Sequence, residues 1–170
     1  MTSSILTTHV GSLPRSKELS ELLFAKDKKE KFNLEKFNQV VKKNVDEVVK
    51  RQLQVGINVI SDGEMSKISY ATYVKDRIKG FSGESERKAP ADLDDFPEYK
   101  DKIAKSGGTP TYTRPCCTSN LELQDEGSLK KDISNFSNAL SGASHKKGFL
   151  NAASPGVINV FMPNKFYQND

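Results

Sequence analysis

The sequence predicts an α/β fold in which helices alternate with parallel strands, and three observations carry that prediction. Leu34 to Val55 places apolar residues at 34, 37, 41, 45, 48 and 49 along one helical face, with Lys, Asn, Asp, Glu and Arg on the other. Gly56 follows at once, where a left-handed residue commonly ends a helix. The β-branched run Ile57 to Ile60 then begins, and the order helix, glycine, strand is that of an α/β unit.

In chain order, Ile5-Leu6-Thr7-Thr8-His9-Val10 is apolar and β-branched and reads as a first strand. It leaves through Gly11-Ser12-Leu13-Pro14-Arg15, where Pro14 stops any ladder. Leu19, Leu22 and Leu23 lie at helical spacing, so a short helix is expected over Ser16 to Lys26, followed by a charged connector to Phe32. Asn33 is a natural N-cap for the long helix. The second strand breaks at Ser61-Asp62-Gly63-Glu64, and Tyr70 to Ile78 is expected to be helical, with Tyr73, Val74 and Ile78 on one side. Gly80 to Gly108 is polar and rich in glycine and proline, a functional excursion with a turn or two of helix around Asp95 to Ala104. A strand is expected near Tyr112 to Cys117, a helix over Leu129 to Leu140, and a strand over Phe149 to Ala153. Val157 to Phe161 is a final apolar run. The total is about four strands in one domain spanning residues 1–170.

The composition narrows the function. Of 170 residues, 26 are basic and 22 acidic, a net charge of +4 spread over the whole chain. Nucleic-acid binding is not expected, because such proteins gather their basic residues on one face. The apolar fraction of 35% and the mean hydropathy of −0.60 are low for a chain burying its own large core. Part of the core is therefore expected to come from a partner. Cys116 and Cys117 are adjacent and cannot build a disulfide framework, which points to a reducing, cytoplasmic compartment. No early run resembles a signal peptide and none has the length of a membrane span, so no membrane association is expected.

Chemistry is expected where apolar runs stop, since ligands of α/β proteins bind at the carboxyl ends of strands. Asp62-Gly63-Glu64 puts two carboxylates at such an end, suited to a substrate amine or to base catalysis, although Asp-Gly is also a common turn. Val10-Gly11-Ser12 could offer backbone N–H groups and a hydroxyl to an anion, or be an ordinary strand exit. His9 could donate a proton, or simply pack. Arg114 could bind a carboxylate. Adjacent cysteines on a strand point to opposite faces, so Cys116 and Cys117 are expected to be buried and inert rather than metal ligands.

Several segments together carry a resemblance. These are Thr7-Thr8-His9-Val10-Gly11-Ser12-Leu13-Pro14-Arg15, Gly56-Ile-Asn-Val-Ile-Ser-Asp-Gly-Glu64, Tyr70-Ala-Thr-Tyr-Val-Lys-Asp-Arg77, Arg114-Pro-Cys-Cys117 and Ala153-Ser-Pro-Gly-Val-Ile158. In this order they resemble the catalytic barrel of the cobalamin-independent methionine synthase family, above all its shorter, single-barrel members. The resemblance implies a (β/α)8 barrel of the uroporphyrinogen decarboxylase and methionine synthase type. It also implies methyl transfer from a folate to the thiol of homocysteine, with zinc holding the thiolate. Under it, Val10, Gly11, Ser12 and Glu64 bind the amino-acid end of homocysteine, with Val10 standing for the family's isoleucine. Arg114, in what the resemblance takes as the third-strand segment, touches the methyl donor. Asp62 becomes a turn residue or a supporting partner.

Such a barrel needs about 250 residues, so the expectation is a partial barrel holding about its first four strands. The family's zinc ligands, its proton-donating histidine and a further substrate-binding aspartate belong to the later half, beyond Asp170, so no metal ligand is assigned in this chain. The chain alone is expected to be inactive. Its expected partners are a small thiol, a methyl donor and a second copy or complementary fragment paired along open barrel edges. Alkyl transfer to another small thiol and a non-catalytic assembling half-barrel are the alternatives.

Overall fold

The computed structural model describes residues 5–85, 91–105, 113–143 and 146–169. Helix α1 spans Lys17–Asp27 and helix α2 Leu34–Gln54, each opened by the side chain of the preceding residue. Ser16 accepts from the Leu19 N–H, and Asn33 from the Lys36 N–H at 2.9 Å. The end of α2 is as expected. Gly56 takes φ +82°, and the N–H groups of Gly56 and Ile57 return to the carbonyls of Leu53 and Gln52, closing the helix and reversing the chain.

The chain then enters strand β1, Val59–Ser61. One edge of β1 forms a parallel bridge from Val59 to Thr8, and the other pairs in parallel with β4, Lys147–Phe149. Asn58 fixes the first register: its Oδ1 accepts from both the N–H and the hydroxyl of Thr7 at 2.9 Å. Among the described residues the parallel arrangement is thus the Thr8 segment, β1 and β4.

The core lies between these strands and the helices. Leu19 and Leu23 from α1, Phe37, Val40, Val41, Val45, Val48 and Val49 from α2, Ile60, Met65 and Phe136 form one buried cluster. Burying each such side chain contributes about 1.5–3 kcal/mol before chain entropy is charged against it. Phe136 belongs to helix α4, Gly127–Leu140, which packs against α2.

Four expectations change. The strand expected over Ile5 to Val10 is reduced to the single parallel bridge at Thr8. Tyr70 to Ile78 is not one helix: a short 3-10 turn over Tyr73–Asp76 leads directly into strand β2, Ile78–Ser82. The segment around Cys116 is not a further parallel strand. Strand β3, Cys116–Leu123, pairs antiparallel with β2 in a separate two-stranded sheet, and residues 106–112 lie outside the described part. The strand expected over Phe149 to Ala153 ends at Phe149, so residues 150–154 form a loop at its carboxyl end. The excursion after Gly80 contains β2 and helix α3, Pro97–Lys105. The run from Val157 becomes helix α5, Pro155–Phe161, with Ser154 as its N-cap and proline in its first turn.

Candidate functional site

Glu64 lies just beyond the carboxyl end of β1, 2% exposed, with φ at +57°. A left-handed glutamate is costly and persists only where its surroundings hold it. The Asp62 carboxylate accepts the Glu64 N–H at 3.0 Å, and the Arg15 guanidinium donates to the Glu64 carbonyl at 3.0 Å. Upstream, α2 secures the strand end. The buried Gln52 amide accepts the Ser61 N–H at 3.0 Å and donates to the Ser61 carbonyl at 2.8 Å.

Both carboxylate oxygens of Glu64 are engaged. Ser12 Oγ donates to Oε2 at 2.6 Å, and Asn151 Nδ2 donates to Oε1 at 2.9 Å. The Ser12 loop is drawn in by the Leu13 N–H, which reaches the Gly63 carbonyl at 3.0 Å. The two expected sites, Val10-Gly11-Ser12 and Glu64, are therefore one corner. Gly11, at φ +98°, makes the turn that presents Ser12, while Val10 faces solvent. His9 Nε2 bonds the Gly11 carbonyl at 3.1 Å, so its role is to shape the loop.

Asp62 is more than a turn residue. It is buried, and its Oδ2 pairs with Lys67 Nζ at 3.4 Å, while the same ammonium donates to the Asn151 carbonyl at 3.1 Å. Arg15 adds bonds to the Lys67 carbonyl at 2.7 Å and to Ser12 Oγ at 3.2 Å. Burial holds the Arg15 guanidinium below its ordinary pKa, opposed by the nearby charges of Glu64 and Asp62. Behind Lys67, the Tyr73 ring lies under both Lys67 and Arg77, and the Tyr73 hydroxyl bonds Asp132 of α4. Burial raises the pKa of both Tyr73 and Asp132.

Arg114 does not join the corner through any of its bonds. Its guanidinium stacks over Phe161 of α5 at 4.8 Å, and its carbonyl accepts from Ser85. Cys116 and Cys117 are buried, and their thiols face the carbonyls of Glu84 and Ser119. Among the described residues no group of three or more His, Cys, Asp or Glu side chains could hold a metal ion.

The family model for the cobalamin-independent synthase catalytic domain matches residues 5–91, half of the chain, and contains Ser12, Glu64 and Lys67. The chain belongs to this family. Two relatives match part of the chain. The 5-methyltetrahydropteroyltriglutamate–homocysteine methyltransferase of Bifidobacterium longum is 31% identical over 75 residues, 44% of this chain. A probable enzyme of the same name from Schizosaccharomyces pombe is 32% identical over 77 residues. The matched part is 10% of the length of either relative. In fold, the chain follows a B12-independent methionine synthase from Shewanella sp. W3-18-1, solved with selenomethionine, at a TM-score of 0.60. That similarity covers 95% of this chain and 41% of the synthase, at 17% identity. The α/β partial-barrel fold expected from sequence is therefore present, with β4 in the place expected of the Cys116 segment.

Arg15, Lys67 and Asn151 carry no assignment from sequence. Arg15 ends one motif segment and Lys67 falls between two others, and nothing in their spacing marks them as parts of this corner. Asn151 is hidden because the run from Phe149 reads as strand, whereas it lies past the strand end.

Proposed function

We propose that this chain forms the amino-acid-binding part of a methyltransferase that moves a methyl group from a folate-type donor to the thiol of homocysteine. The observation that carries the reading is the Glu64 carboxylate, held at the end of β1 by Ser12 and Asn151. A carboxylate oxygen has two acceptor positions, so one remains on each oxygen for a substrate ammonium. Gly11 and Ser12, at the mouth of the same corner, supply donors suited to the substrate carboxylate. The names of the family relatives support homocysteine as the amino acid. Arg114 remains a donor-binding residue only in this proposal.

The described residues do not fit zinc, because no cluster of ligands is present and both thiols are buried against carbonyls. No step through zinc is derived for this chain. What its own residues do is bind and orient: Glu64 takes the ammonium, the Ser12 loop takes the carboxylate, and the thiol end is left free to face the donor. The chain alone is inactive in this reading, and zinc-dependent methylation of homocysteine by the 170-residue chain would overturn that. A panel of small thiols separates homocysteine from another acceptor. The free thiols favour a reducing, cytoplasmic setting, and no described helix is long and apolar enough to cross a membrane.

One observation favours assembly as a second reading. Ile5, Leu6 and Val10 are 92%, 63% and 68% exposed along the segment that bridges β1 through Thr8. Strands exposing apolar residues at a sheet edge pair with another copy. Sedimentation finding a monomer at high concentration would dismiss it.

A further inference from the structure

We infer that Asn151 is a positioning residue for Glu64, setting its carboxylate for an ammonium group. The inference rests on the amino-acid-binding reading of Glu64 and extends it to a residue outside the family-matched segment, which stops at residue 91. Asn151 closes a ring of four interactions. Its side-chain amide holds Glu64 Oε1 at 2.9 Å, and its carbonyl accepts from Lys67 Nζ at 3.1 Å. Lys67 pairs with Asp62 Oδ2 at 3.4 Å, and Asp62 Oδ1 accepts the Glu64 N–H at 3.0 Å. The ring joins the ends of two neighbouring parallel strands, β1 and β4.

The ring has a chemical consequence. The buried Lys67 ammonium is committed to Asp62 and to the Asn151 backbone carbonyl rather than to Glu64, and the neighbouring Arg15 guanidinium bonds the Glu64 backbone carbonyl. The Asn151 side chain orients the Glu64 carboxylate through a neutral donor, while its backbone carbonyl, which any residue at 151 would keep, helps hold Lys67 on Asp62. The Glu64 carboxylate oxygens are thus bonded by the neutral donors Ser12 and Asn151. An alanine at 151 leaves Oε1 without its donor and frees the carboxylate to turn toward Lys67 or water.

The test compares homocysteine with 4-mercaptobutanoate, the same molecule without its amine, by ligand-observed NMR for affinity and protein-observed NMR for the amide signals, on the 170-residue chain. The parent chain prefers homocysteine, and Asn151→Ala lowers that preference about tenfold, the scale of one hydrogen bond to a charged group. Binding of 4-mercaptobutanoate stays within about twofold, because that ligand makes no ammonium contact. In the parent chain, the Asn151 side-chain amide signals shift with homocysteine and not with 4-mercaptobutanoate, a readout that needs no variant. A parent chain with no preference for the amine overturns the reading of Glu64 and this inference with it. An unchanged preference in a folded Asn151→Ala chain, or Asn151 amide signals indifferent to homocysteine, overturns the role of Asn151 alone.

Discussion

Lys67 and Asp62 are opposite charges with side chains only 4% and 5% exposed, so neither can turn to water if the other is lost. Removing one partner of a buried pair leaves an uncompensated charge. Lys67→Met is therefore expected to cost about 3–5 kcal/mol in urea unfolding, and adding Asp62→Asn to recover part of it. Asp132 gives a pH dependence of definite sign. Its folded pKa is raised by burial above the usual 3.8, so its contribution to stability is full below that value. It is lost as pH rises through the folded pKa. Melting curves of the parent and Asp132→Asn should therefore diverge with rising pH, the parent losing relative stability across that window. Sequence reading singled out Glu64 and Ser12 because each follows an apolar run that stops abruptly and each stands in a segment resembling the family, and the structure brings the two together. Sequence reading did not find Asn151, since a lone polar residue after Phe149-Leu150 leaves no periodic trace, nor the burial of Lys67, since lysine is ordinarily exposed.

At the scale of elements, α2 was legible from end to end because its apolar stripe, its Asn33 cap and its closing Gly56 all agree. Asn33→Ala should lower the melting temperature, at a cost of about 1 kcal/mol. The antiparallel β2–β3 pair was not legible. Tyr73, Val74 and Ile78 mimic a helical face over barely two turns, and alternation along β2 is broken by a register shift between Lys79 and Phe81. Gly80 sits in that shift at φ +104°, where an added Cβ would meet the carbonyl oxygens of Asn120 and Ser119 at 2.7 and 2.8 Å. Backbone cannot step aside as a side chain can. Gly80→Ala should destabilise by about 1–3 kcal/mol or more, read as loss of hydrogen-exchange protection along β2 and β3. β4 was missed in register for a different reason. Its three residues, Lys147-Gly148-Phe149, contain no β-branched side chain, and a Cβ at Gly148 would come within 2.6 and 2.8 Å of the Leu140 and Phe136 side chains of α4. A reading by propensity cannot see that close packing.

Across the whole molecule, the α/β class and the partial barrel followed from alternating helices and strands together with ordered motifs. Which strands are neighbours did not, because β1 and β4 are separated in sequence by β2, α3, β3 and α4. Ile5, Leu6, Val10 and Val55 are all exposed.

The Glu64 corner takes its two side-chain donors from positions 52 residues before and 87 residues after it. A ligand seated there is bound only while those distant parts of the chain are together, so its binding energy becomes resistance to opening. At a hundred times its dissociation constant such a ligand adds about 2.7 kcal/mol. The gain would be unevenly distributed. Amides of β1 and β4 should exchange more slowly as homocysteine is added, while those of the separate β2–β3 sheet, free to open locally, keep the rates they have without it.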